Sequence, residues 1–408
     1  MQQFAAPRLP QRRASSLFPA ALLALILPIA ADPVINEIFY HENHGINPEN
    51  LLTEWIELHN PTPAAIDLSN WTLSRGVSYV FPPGTSLPAN GYLVVAADTP
   101  AFNAAHPGID NGTNVFGPWI GRLQNSGETI ALENEAGIRA DRVQYADEGD
   151  WAIRARGPLD NGHQGWTWVA THDGGGSSLE LINPALSNNR GQNWASSAVA
   201  GGSPGADNSV ASSTGAPLIR DVRHAPVIPR SSDTVVITAE LEHAIITGAA
   251  TLYWRVDGES NWTSQDLADN GRGELDSEIP GHPDSTVIEF YISTSNGAAE
   301  RTWPSPTQPS GEQEANALIQ FDNSYDPDAP WVPGAQPKYR IIMTEDERAE
   351  LADIGDANES PRDEEESNAE MNCTFIVEDG TGLALRYLSS VRNRGAGSRN
   401  PSPNNFLV

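Results

Sequence analysis

Cysteine and positive charge are both scarce in this chain. Cys373 is the sole cysteine among 408 residues, so no internal disulfide can form and the cores must be held by packing alone. Lysine and arginine total 24 against 53 aspartates and glutamates, a formal net charge of −29. Phosphate binding needs a basic face, so this field excludes a nucleic-acid partner. It suits a protein in salty or extracellular surroundings. Long apolar runs are scarce too: Leu17–Ala31 is interrupted by Pro19 and Pro28 and is too short to span a bilayer. No nucleophile elbow or catalytic-triad order appears, so no catalytic residue is assigned. In their place stand 35 glycines and 32 prolines, which favour turns over long helices. The length calls for two or three domains.

Residues 1–31 read as a secretory signal, with Arg8, Arg12 and Arg13 as its charged region and Ala30 and Ala31 as the cleavage site. The protein is therefore expected to be exported: extracellular, periplasmic or at the cell surface. No stable membrane span remains after cleavage; the alternative is an uncleaved anchor.

Residues 32–145 are built of short runs with period-two alternation. Val34–Tyr40, Glu54–His59 and Ile66–Leu73 come first; Ile56 and Leu58 share one face of their strand and Glu57 points to the other. Ser78–Phe81, Tyr92–Ala97, Thr129–Glu133 and Arg142–Tyr145 follow, separated by turns at Asn60-Pro61, Asn90-Gly91, Ser126-Gly127 and Ala136-Gly137. That pattern predicts half-buried antiparallel strands of a β-sandwich. The segments Asn36-Glu37-Ile38, Glu54-Trp55-Ile56-Glu57-Leu58, Asn60-Pro61 and Ile66-Asp67-Leu68-Ser69-Asn70-Trp71-Thr72-Leu73, with Asn125-Ser126-Gly127-Glu128 further on, resemble the lamin-tail domain in residues and in order. The resemblance implies an immunoglobulin-like sandwich.

Residues 146–210 form a Gly-, Asn- and Trp-rich extension containing Gly202-Ser203-Pro204-Gly205. Trp166 and Trp168 fall on one face of an extended segment. They either cap a core or offer a platform to a sugar, and burial of so large a side chain favours the core. Residues 211–304 are expected to hold a second immunoglobulin- or fibronectin III-like sandwich. Its strands are Thr234–Leu241, Ala250–Val256, Leu275–Ile279 and Val287–Ser293. Residues 305–337 read as a Pro-rich, acidic linker. Asp322, Ser324, Asp326 and Asp328 alternate there, but Pro327 and the missing downstream glutamate depart from a calcium loop, so a solvated linker is expected.

Residues 338–408 change character. Tyr339–Met343 reads as a strand, Thr344 with Glu347 as a capping box that opens a helix, and Gly355 as its stop. Asn372–Val377 and Ala384–Leu388 flank a turn at Asp379-Gly380. A strand then leads into Val391-Arg392-Asn393-Arg394-Gly395-Ala396-Gly397-Ser398-Arg399. This order resembles the opening of the spore-coat-protein-H (CotH) kinase-like family. The fold class expected is thus mainly all-β: two immunoglobulin-like sandwiches in tandem, followed by a truncated α+β segment.

The kinase-like resemblance implies that Arg392, Arg394, Gly395, Gly397, Ser398 and Arg399 line a nucleotide pocket in a longer protein, with Mg-ATP as its cofactor. The carboxylates that phosphoryl transfer requires would lie beyond Val408. For this chain the alternative is a structural turn whose arginines pair with the acidic stretch Asp363–Glu366, and no cofactor is expected. His41 and His44 with Glu37 and Glu42 form a loose metal-ligand set that nothing in the spacing fixes, so no metal is assigned. Cys373, beside Phe375 in a strand, reads as a core thiol. The function expected is surface binding, adhesion or scaffolding, with an extracellular protein or polysaccharide as partner. The alternative is the N-terminal part of a secreted CotH-like kinase.

Overall fold

Strands with apolar residues on alternating positions pair, among the described residues, into seven sheets. The computed structural model describes residues 32–43, 45, 49–243, 249–329, 331–354, 367–394 and 406–408. The expected signal segment, and with it His44, Gly355 and the Asp363–Glu366 stretch, lies outside them.

The first sandwich packs two main sheets face to face. One runs Trp194–Ser196, Leu179–Leu181, Val34–Phe39, Trp55–His59, Tyr92–Ala96, Val115–Phe116; the other runs Arg139–Tyr145, Glu128–Glu133, Thr72–Arg75, Val77–Val80, Ile120–Gly121. Ile35, Ile38, Ile56, Leu58, Leu73, Ile130 and Tyr145 fill the space between them. Ile35 and Ile38 are three residues apart, which strict alternation would place on opposite faces. A register shift between Ile35 and Glu37 inserts one residue and brings both inward. The extension supplies two strands of this sheet, Leu179–Leu181 and Trp194–Ser196, so it is part of the sandwich.

Two expectations need correction here. Ile66–Leu73 is not one strand. Asp67 Oδ1 accepts from the amide and hydroxyl of Ser69, and this local turn leaves Ile66–Asp67 and Thr72–Arg75 in different sheets. The first two strands are also not half-buried. Glu37 and Glu57 lie fully buried on the face away from the core, under residues 198–210.

The second sandwich pairs Leu218–Ala225, Val235–Glu242, Leu275–Ile279 and Ala268–Asp269 on one side. On the other are Thr263–Asp266, Ala249–Val256, Val287–Ser295 and Glu300–Trp303. It extends past Pro304, because Ala317–Gln320 pairs with Val287–Phe290 and buries Ala317, Leu318, Ile319 and Phe321. The run Ala-Leu-Ile-Gln-Phe is the apolar exception within a polar stretch, and its burial converts that part of the expected linker into sandwich.

The C-terminal segment forms a sheet of Lys338–Ile342, Met371–Glu378, Leu383–Asn393 and Phe406–Leu407, with the helix Glu345–Asp353 on one side. It is built onto the second sandwich. Leu318 packs with Ile342 and Ile376, and its amide donates to Thr374 Oγ1 at 3.0 Å. Tyr387 leaves the sheet to enter the sandwich core beside Phe290 and Trp303.

Candidate functional site

Period two in the strands Ala249–Val256 and Val287–Ser295 sends Leu252, Trp254, Ile288, Phe290 and Ile292 inward. The register then sets Tyr253 opposite Tyr291 and Arg255 opposite Glu289 on the outer face. The tyrosine rings stack with centroids 4.7 Å apart and planes 4° from parallel. Trp262, from the turn that follows, meets Tyr291 edge-on at 4.9 Å. Arg255 stacks over Trp262 with its Cζ 4.3 Å from the ring centroid, and forks onto Glu289 at 2.8 and 3.2 Å. Asn316 fixes the second oxygen of Glu289 at 2.9 Å. An aromatic floor is thus held from below by an ion pair.

This floor opens into a groove of about 1270 Å³ bounded by the second sandwich, the hairpin of the extension and the start of the helix at Thr344. Eight carboxylates and three guanidinium groups line it. All three arginines have partners within the protein. Arg255 holds Glu289; Arg156 lies 3.6 Å from Glu347 and 3.7 Å from Glu314; Arg301 donates to Gln192 O at 2.6 Å. Burial lowers the Arg301 pKa from its ordinary value. The groove therefore offers surplus negative charge and aromatic surface.

Its far wall is the junction of three parts of the chain. The extension's hairpin, Ile153–Arg156 with Trp166–Val169, docks on the C-terminal segment. Trp166 is buried; its Nε1 donates to Glu347 Oε1 at 2.6 Å and its amide to Glu370 O at 2.7 Å. Arg156 lies over the Trp166 ring at 3.8 Å and Arg154 over Trp168 at 4.2 Å. Trp166 is thus taken up by packing at an inter-segment junction and not over the core of its own sandwich, while Trp168, covered by Arg154, stays half-buried. Burial raises the Glu347 pKa. Of the expected capping box only one half forms: Thr344 Oγ1 accepts from the Glu347 amide, while the Glu347 side chain turns to Trp166 and to the Asn372 amide.

The other residues singled out from the sequence are dispersed. Arg392 pairs with Glu370 at 3.5 Å and donates to Asn368 Oδ1 at 2.8 Å. Arg394 is exposed, and Gly395, Gly397, Ser398 and Arg399 lie outside the described residues. His41 Nδ1 sits 2.6 Å from Asp173 Oδ1, whereas Glu37 belongs to a separate buried row. Among the described residues no group of three His, Cys, Asp or Glu side chains is disposed to hold a metal ion. Asp322 binds Ser324 and, at 2.5 Å, Arg340. Cys373 is fully buried, and burial pushes its thiol up to about 12, the environment of a core thiol. Sequence reasoning missed Trp262, Tyr253 and Tyr291. For Tyr253 and Tyr291 the signal was available as aromatics on the polar phase of the alternation, between Leu252 and Trp254 and between Phe290 and Ile292; Trp262 lies in a turn and carries no such signal.

The sheets define a mainly β chain with immunoglobulin-like architecture. Residues 29–147 match the family model of the Lamin Tail Domain, so this stretch is a lamin-tail domain. The match covers less than a third of the chain. No curated protein matches. A solved structure from a study of host cell surface retention of a 1.5-MDa bacterial ice-binding adhesin is 10% identical. The alignment covers 66% of this chain and 91% of that one, with a TM-score of 0.17, a likeness too low to carry an argument. No helix among the described residues is long and apolar enough to cross a membrane.

Proposed function

We propose that this chain is an exported surface-binding protein that grips a glycan in the groove floored by Trp262 and Tyr291. The observation that carries the reading is an aromatic floor exposed to a groove whose arginines are already engaged from within, two by carboxylates and one by a backbone carbonyl. Sugar rings stack on aromatic faces, and surplus carboxylates accept hydroxyl or ammonium donors. The ligand class is therefore a neutral or amino-bearing polysaccharide. A polyanion would meet repulsion from eight carboxylates. The same charge disfavours a triphosphate here, so the kinase-like reading draws no support from this groove and applies only to a longer protein.

Retention on insoluble matrices tests the proposal. The chain is expected to be retained on chitin and on partly deacetylated chitin, and not on cross-linked alginate. Trp262→Ala should weaken retention by ~10-fold or more, the loss expected for a central aromatic anchor. Equal retention of wild type and Trp262→Ala on all three matrices would sink it.

A further inference from the structure

The ladder of the first sandwich sets Glu180, Glu37 and Glu57 side by side. Glu37 is directly opposite Glu180 on one neighbouring strand and directly opposite Glu57 on the other. All three side chains are fully buried. Like charges in that arrangement repel strongly when water is excluded. Among the described residues no lysine or arginine is among the groups whose charge bears on Glu37 or Glu57.

Residues 198–210 close over the row and donate hydrogen bonds into it. The Ser203 amide reaches Glu37 Oε1 at 2.9 Å, and the Gly205 amide reaches Glu57 Oε2 at 2.5 Å. Glu180 receives Ser203 Oγ, Ser209 Oγ and the Val210 amide. Gly202 fits because it lacks a side chain: its φ is +87°, in the left-handed region, and a Cβ there would lie 2.2 Å from Glu37 Oε1. Ser178 Oγ also donates to Glu37 Oε1, at 2.5 Å, and Asn36 to Glu57 Oε1, at 2.9 Å. One oxygen of the row is left out. Glu37 Oε2 is buried and receives no donor.

We propose that this row is a proton-binding site, with the proton on Glu37 Oε2, and that the bound proton latches residues 198–210 onto the lamin-tail sheet. The donor pattern assigns the proton. An oxygen that receives no N–H or O–H is the one positioned to carry hydrogen and to offer it to a neighbouring carboxylate. Loss of that proton leaves adjacent anions in a water-excluded strip, and lifting the segment to admit water is the direct relief. Burial, and then the Glu57 charge, raise Glu37 well above the ordinary carboxylate range; burial raises Glu57 to about 8. Opening therefore belongs to mildly alkaline pH. The His106 ring and the Tyr92 phenol beside the segment do not share that range. His106, at the end of the helix Thr99–Ala105 and 3.5 Å from where a Cβ on Gly201 would sit, is held below its ordinary value by burial, so it is already neutral there. Asp207, on the segment itself, accepts from the Tyr92 hydroxyl at 2.6 Å, and that phenol is raised by burial.

Hydrogen exchange of the whole chain between pH 7 and pH 9, corrected for the intrinsic pH dependence of exchange, tests the site. Protection of the Ser203 and Gly205 amides is expected to fall by ~10-fold or more over that interval. Glu37→Gln keeps the oxygen that Ser178 and Ser203 use and places an N–H donor where the proton sits. It should hold the segment closed and make its protection insensitive to pH. Constant protection in the wild type overturns the proposal whatever the variant does. So does a fall in Glu37→Gln equal to that of the wild type.

Discussion

Tyr387 joins the C-terminal sheet to the second sandwich, and its removal tests whether the two are one structure. Its ring meets Phe290 at 5.6 Å and Trp303 at 5.5 Å, both edge-on. Its hydroxyl contacts His224 Nδ1. The His224 Nε2 lies 3.0 Å from Val227 O, a carbonyl that can only accept, so Nε2 carries the hydrogen. Nδ1 is then the acceptor and Tyr387 the donor. Tyr387→Phe keeps the ring and orphans a buried nitrogen, a cost of about 1–3 kcal/mol. Tyr387→Ala also empties the aromatic site, about 3–5 kcal/mol for a buried aromatic. Guanidinium unfolding, followed by the fluorescence of the second sandwich's tryptophans, should show midpoints in the order wild type, Phe variant, Ala variant. A Tyr387→Ala midpoint equal to the wild type would refute the inserted ring and the fused architecture with it.

Three further predictions follow from buried groups and surface charge. Burial lowers the His224 pKa from 6.5 to about 4, so its neutral form is favoured in the folded state. That contribution is present above pH 6.5 and is lost as pH falls towards 4, by roughly 3 kcal/mol; a stability profile of His224→Gln should lack this acid limb. Glu347→Ala orphans the Trp166 indole and the Asn372 amide together, so it should destabilise the junction by about 2–3 kcal/mol and raise the rate of limited proteolysis in the 153–169 hairpin. The net charge of −29 predicts that raising salt from ~0.05 to ~0.5 M increases the melting temperature, because screening relieves self-repulsion. A lower melting temperature at high salt would contradict that.

The two-residue period was legible wherever one face is apolar, and it located most of the long strands. It failed where a local hydrogen bond or a bulge interrupts the period. Asp67 and Ser69 break one expected strand in two, and the inserted residue at Asn36 puts Ile35 and Ile38 on the same face. Glu57 was read as pointing away from the core, which is correct, but no local pattern reveals that a segment almost 150 residues later covers it. Ala317–Gln320 was hidden by its polar surroundings, and Glu347 looked like a cap because its partner Trp166 is 181 residues away. The candidate groove was missed for a related reason. Leu252 and Trp254 drew notice as core, while Tyr253 and Arg255 between them carry the exposed chemistry only once the partner strand sets Tyr291 and Glu289 opposite.

The most direct test of the proposed binding role is hydrogen exchange of the whole chain with and without a soluble chitosan hexamer. The account predicts added protection in the strands Ala249–Val256 and Val287–Ser295 and around Trp262, lost in Trp262→Ala. Protection confined to the lamin-tail domain, or none at saturating oligosaccharide, would contradict it.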